Sequence, residues 1–365
     1  MACVKLDGHA DAVEFCPTPP YCNVLAAATY TLQEAPAEHS PTRLGTLSLF
    51  TFPHFGDLEL HQTHTLQTSG IFDIKWGPPS SSPAPPLLAQ AGADGSLALY
   101  NLQVLESFCL CELIKDSISS SMCLSLDWNP LSKEQICISH SDGGLSVIDI
   151  RGSKVEVSQH RAKAHSFEAW CAAYDTWRPG ILYSGGDDCH FCCWDTRAGL
   201  CQPVFREKKT HHMGVCSIQS SPHETNVLVT GSYDEKLRIW DTRMLSQPRV
   251  EKILGLGGGV WRLKWSPFDK DVLVAACMHS GFVVVKMQED KLLVAMEYKK
   301  HESLAYGVDW FKGSSKAFVP QSQLSDIYSE KQEVFVEQLE SPSLLVASCS
   351  FYDCSLHLWK PDFFI

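Results

Sequence analysis

The chain has 365 residues, 44% of them hydrophobic, and a formal net charge of −12; that supplies a large core and argues against a phosphate backbone as the main ligand, so no direct nucleic-acid partner is expected, and the charge is compatible with a cationic one. No apolar run reaches the length of a membrane span and no leader-like segment opens the sequence, so a cytoplasmic monomer without membrane contact is expected. The sixteen cysteines of so long a chain are expected as reduced thiols.

In chain order, Cys3 to Leu6 (CVKL) reads as a strand, and an inner-strand marker of the form aromatic-x-Pro follows at Phe15 to Pro17. The marker returns at Trp76 to Pro78, Trp128 to Pro130 and Trp265 to Pro267. Tyr174, Ser220 and Trp310 hold the same place in the other units. Between the markers, a turn acid is followed six residues later by a bulky residue: Asp94 and Tyr100, Asp142 and Ile148, Asp188 and Trp194, Asp234 and Trp240, Asp353 and Trp359, about every 46 residues. A fixed period of that size predicts a repeat architecture. Apolar and polar residues alternate in the intervening strands, as a half-buried sheet requires. Proline density marks surface loops at Gln33 to Arg43 and at 78–86, and polar text predicts a long loop at 311–341 in the last unit. The sixth unit departs from the rhythm, with Ser280-Gly281 and Lys286 in place of the acid and the tryptophan. Too little chain follows Trp359 to finish the seventh unit, so the N-terminal strand is expected to complete it and close the ring.

The segments GGDDCHFCCWDTR (185–197), GSYDEKLRIWDTR (231–243) and SFYDCSLHLW (350–359) resemble the WD-repeat family. The resemblance implies an all-β, seven-bladed propeller occupying residues 1–365 as one domain. It also implies that His165, His211 and His301, in the loops before inner strands, bond the turn acids Asp188, Asp234 and Asp353 as scaffold. Cys189, Cys192 and Cys193 have a metal-like spacing, but strand alternation sends neighbouring sulfurs to opposite faces, so no metal site and no cofactor are assigned.

Four residues before each inner-strand marker, where the strand enters the axial channel, stand Asp11, Phe72, Leu124, Trp170, Cys216, Trp261 and Tyr306. Immediately before the turn acids, on what the family pattern makes the same upper face, stand Ala93, Ser141, Asp187, Tyr233, His279 and Tyr352. Blades four to seven are thereby expected to bring Trp170, Tyr233, Trp261, Tyr306 and Tyr352 into an aromatic enclosure. Such rings suit a quaternary ammonium, a lysine side chain or a peptide.

HSFEAW (165–170), HHMGVCSIQSSPH (211–223), GGVWRLKWSPF (258–268), ACMHSGF (276–282) and SCSFYD (348–353) resemble the diphthine methyl ester hydrolase family of the diphthamide pathway. That resemblance implies removal of a methyl ester from methylated diphthine, a modified histidine of translation elongation factor 2. The aromatic enclosure would hold the trimethylammonium. Ester hydrolysis needs a nucleophile, a base and oxyanion donors. One arrangement has Cys216 attack, His279 or His212 act as base, and Asp187 or Glu168 orient the imidazole. Another activates a water with the same histidine and carboxylate, leaving Cys216 to pack; Ser232 is a weaker nucleophile. The non-catalytic alternative is an adaptor that docks a protein partner on the upper face.

Overall fold

A computed structural model describes residues 1–34, 42–52, 58–79, 84–313 and 344–362. Seven antiparallel sheets follow one another along the chain. Blade 1 runs from Ala10 to Ser69, blade 2 from Ile71 to Ser117, blade 3 from Cys123 to Arg161 and blade 4 from Cys171 to Glu207. Blade 5 spans Val215 to Gly255 and blade 6 Arg262 to Tyr298. Blade 7 contains Ala305–Trp310, Val346–Ser350 and Ser355–Trp359, and its outermost strand is Ala2–Lys5, which pairs with Ser355–Trp359 in the register Ala2 to Leu358. The expected closure by the N-terminal strand is therefore present. The long 311–341 loop falls largely on 314–343, outside the described residues.

Turn chemistry explains the period. The turn acid accepts the backbone N–H two residues on, as in Asp94 with Ser96, Asp142 with Gly144, Asp188 with His190 and Asp234 with Lys236. The residue between them takes a left-handed conformation, with φ of 77° at Gly95 and 81° at Gly143. Glycine suits that position because a Cβ is disfavoured there.

Each of the seven hydrophobic clusters draws its side chains from two neighbouring blades. Cys192 and Cys193 belong to different clusters, on opposite faces of one strand. The blades are also stitched along the axis. The indoles of Trp76, Trp128, Trp265 and Trp310 donate to the carbonyls of Glu14, Lys75, Gln219 and Lys264 on the preceding inner strands. In parallel, Glu14, Asp73, Asp127 and Asp309 accept the N–H groups of Trp76, Leu126, Tyr174 and Phe15 from the next blade around the ring. The inner-strand marker is thus an inter-blade fastening, and these four carboxylates near the axis each accept a backbone donor.

The scaffold histidines follow expectation in part. His165 bonds Asp188 at 2.9 Å and Ser184 at 2.8 Å, and Trp194 Nε1 donates to the same serine. His211 instead bonds Thr230, while Arg238 takes Asp234 at 2.6 Å. A buried arginine reaching back along its own strand meets that carboxylate first. His301 bonds Ser348 and Ser350, and Ser350 passes the connection to Asp353.

Candidate functional site at the upper mouth of the channel

The inner strands begin at the upper face, and their first residues ring the channel mouth. Trp170 stands 5.5 Å from Trp261 and 6.2 Å from Tyr233, ring centre to ring centre, and Tyr233 is 5.9 Å from Trp261. Trp261 stacks on Tyr306 at 5.0 Å. Four of the five expected aromatic residues therefore come together, all half-buried. Their rings touch one another edge to face, tilted or stacked, so they build a continuous aromatic wall. A cation would rest against that wall, where the ring quadrupoles attract it by about 0.5–2 kcal/mol per contact.

The fifth, Tyr352, stands apart. It is 66% exposed, packs against His9 and Phe351, and it is Phe351 that continues the arc from Tyr306 at 5.1 Å. The cause is one extra residue in the turn of blade 7. The indole and its hydroxyl acceptor are separated by 10 positions in blades 4 and 5 but by 11 in blade 7. Counting back from Asp353 therefore lands one position late. From Phe351 the arc runs through Tyr30 to Phe72, with spacings of 6.1 and 4.8 Å, so it also takes in blades 1 and 2. Phe72 is at the register position the sequence marks. Tyr30, which directly follows a second strand as Tyr233 does, was missed because blade 1 lacks a turn acid.

Gly214 holds Tyr233 in place: a Cβ there would lie 2.7 Å from Asp187 Oδ1 and 3.0 Å from the tyrosine ring. Asp187 is exposed and accepts the Trp170 indole N–H at 3.0 Å, so it orients the wall at its edge. Glu168 reaches the same edge through its main chain, whose carbonyl accepts the Asp187 N–H.

The expected acid-base and nucleophile groups do not form a relay. Cys216 is buried, donates weakly to the Gly214 carbonyl at 3.4 Å, and burial followed by the neighbouring Cys171 pushes its thiol well above the ordinary value. A thiol so held is protonated and inert. His279 and His212 are exposed, and His212 meets Asp234 through its backbone N–H. Among the described residues no hydrogen bond joins Cys216 to either histidine, or either histidine's ring to Asp187 or Glu168. Ser232 donates to the Met213 carbonyl and accepts the Asp234 N–H, which makes it a turn residue.

Beneath the wall lies Asp11, 2% exposed, with one carboxylate oxygen that has no partner. Trp261 Nε1, also buried, comes close enough to favour the carboxylate without completing a bond. Burial raises Asp11 to about 7 against the opposing pull of Arg262. Arg262 itself is committed to Asp73 at 3.0 Å. Asp11 has the register position of the rim residues, but no chemical role was assigned to it from sequence.

A closed ring of seven four- or five-stranded sheets with fastened tryptophans is a WD-repeat propeller, and the model for "WD domain, G-beta repeat" matches residues 202–241. A solved chain of a mitotic checkpoint complex has the same fold, with a TM-score of 0.67 at 15% identity, covering 98% of this chain and 90% of that one. The chain belongs to the family of proteins named diphthine methyltransferase. It is 39% identical to the Mus musculus member over 85% of this chain and 69% of that protein, and 33% identical to the Homo sapiens member over 96% of each. These names correct the reaction expected from the sequence: they state methyl transfer involving diphthine, where methyl ester hydrolysis is the expectation. They lend no support to the adaptor alternative, since they name an enzyme.

Proposed function

We propose that this chain recognises diphthine on a protein substrate, elongation factor 2, through the aromatic wall at its upper mouth, and acts there in the methyl transfer for which its relatives are named. The observation that supports this is the joined faces of Trp170, Tyr233, Trp261 and Tyr306, flanked by carboxylates. Diphthine bears a trimethylammonium group, which cannot donate hydrogen bonds and is bound best by ring faces and diffuse negative charge. Fold alone would not support the reading, since propellers serve many functions.

A methyl transfer also needs a donor. A sulfonium donor is itself a cation and would compete with the trimethylammonium for the same wall, the one such wall among the described residues.

The test is to incubate the purified chain with elongation factor 2 taken from cells lacking this protein, with and without S-adenosylmethionine, and to weigh the modified-histidine peptide by mass spectrometry. Donor-dependent gain of a methyl group, lost in Trp261→Ala, supports the reading. An unchanged mass removes the catalytic half, and a loss of mass would reverse the direction of the chemistry.

A further inference from the structure

The channel residues just below the wall carry an imbalance of charge. Asp11 and Asp73 enter from blades 1 and 2, and Arg262 from blade 6. Asp73 is fully engaged: one oxygen accepts Arg262 at 3.0 Å and the Ile74 N–H, and the other accepts the Leu126 N–H at 3.2 Å. Asp11 has a buried oxygen with no donor, and the Trp261 N–H beside it is likewise unpaired. Arg262 is the cation that acts on Asp11, and its hydrogen bond goes to Asp73 instead. A buried carboxylate oxygen without a donor keeps a charge that costs free energy unless a cation lies close by.

We propose that Asp11 is the counter-charge of the aromatic wall: a ligand with a permanent positive charge seats against Trp261 and Tyr306 and balances the carboxylate that Arg262 leaves over. The site thereby selects a quaternary ammonium from a neutral group of the same shape. This rests on the reading of the wall as a diphthine-recognition surface but concerns binding alone, so it can fail or stand without it.

The groups facing Asp11 are Arg262 from blade 6, Asp73 from blade 2, Tyr233 from blade 5, and Tyr306 and Cys349 from blade 7. Tyr233, Tyr306 and Cys349 are all raised, first by burial, so they stay protonated near neutral pH. Asp11, at about 7, is the one that changes charge in that range. Affinity for a cation should therefore rise as pH rises through neutrality.

The experiment uses the full chain and two probes, choline and dimethylbutanol, its neutral tert-butyl isostere, titrated by tryptophan fluorescence at about pH 5.5 and about pH 8.5, on either side of Asp11. Choline should bind about tenfold more tightly at the higher pH, and the isostere equally at both, as expected where one charge contact of about 1.4 kcal/mol is added. Asp11→Asn should abolish the pH dependence for choline and leave the isostere unchanged, while Asp187→Asn keeps it. Absence of choline binding, pH-independent choline binding, or a pH dependence that survives in Asp11→Asn would overturn the proposal. Should Asp11→Asn not fold, His9→Gln and His279→Gln decide: loss of the pH dependence in either assigns it to an imidazole of the rim and overturns the role of Asp11. Choline binding with these properties but no methylation of the elongation factor would remove the functional reading and leave this one standing.

Discussion

The two ends of the axial channel are built from the same inner strands and solve opposite problems. At the lower end Lys264 lies 3.1 Å from Glu14 and 3.7 Å from Asp309, and Lys312 lies 3.0 Å from Asp309 and 3.5 Å from Glu14. Burial would raise Glu14, but Lys264, Lys312 and Lys75 hold it at about 2. Burial would lower Lys264, but Asp309 and Glu14 hold it well above the ordinary lysine value. At the lower end these two lysines and two carboxylates pair with one another. The upper end leaves Asp11 unpaired beneath half-open aromatic faces. The contrast teaches that paired charge near the axis belongs to the scaffold, whereas unpaired charge marks the place for something from outside.

The strongest way to break the comparison is Lys264→Met. It leaves Glu14 and Asp309 to share Lys312 alone, and should cost about 3–5 kcal/mol in urea unfolding; a small effect would mean the lower network is not what joins blades 6, 7 and 1. Next comes Asp11→Asn. Asp11 is raised from 3.8 to about 7 in the folded chain, so between those values the folded state holds a proton that the unfolded state has released, and this contribution to stability falls as pH rises. Relative to the wild type, Asp11→Asn should therefore gain on the order of 2–3 kcal/mol between about pH 5 and pH 8, read from unfolding curves at both. A flat difference would deny the burial of the charge. Trp261→Ala sharpens the comparison from the other side: it should weaken choline about tenfold at high pH, with the lower network untouched. Cys216→Ala should cost about 1–2 kcal/mol of packing and leave choline binding unchanged, as befits a packed thiol. The smallest effect belongs to His279→Ala, within about 0.5 kcal/mol for an exposed side chain; a large loss of methyl transfer in this variant would restore the chemical role that its position does not suggest.

Most of the fold was legible because a repeat states its pattern many times. Asp94, Asp142, Asp188 and Asp234 bond the same backbone group in four successive turns, and any one of them could be read from the others. The site was legible only where it obeys that register. Trp170, Tyr233, Trp261 and Tyr306 were found because they stand at repeated positions. Tyr352 was chosen over Phe351 because a single inserted residue is invisible to spacing when the turn acid is the only landmark. The partnering of Asp234 by Arg238 was hidden for a different reason: both arginine and histidine can satisfy the acid, and only the packing decides between them. The isolation of Asp11 could not be read at all, since whether a carboxylate lacks a donor depends on strands from four other blades.

The pairing of Ala2–Lys5 with Ser355–Trp359 also sets an order in time. During synthesis Ala2–Lys5 emerges long before its partner Ser355–Trp359 and has to wait for it, while every blade between them can already lean on its neighbour. Until that partner emerges, the outer edge of blade 7 does not exist and Ala2–Lys5 remains a loose strand with free backbone donors and acceptors. A nascent chain arrested shortly before Ser355 would hold six blades and a dangling end, the state most exposed to pairing with the wrong edge.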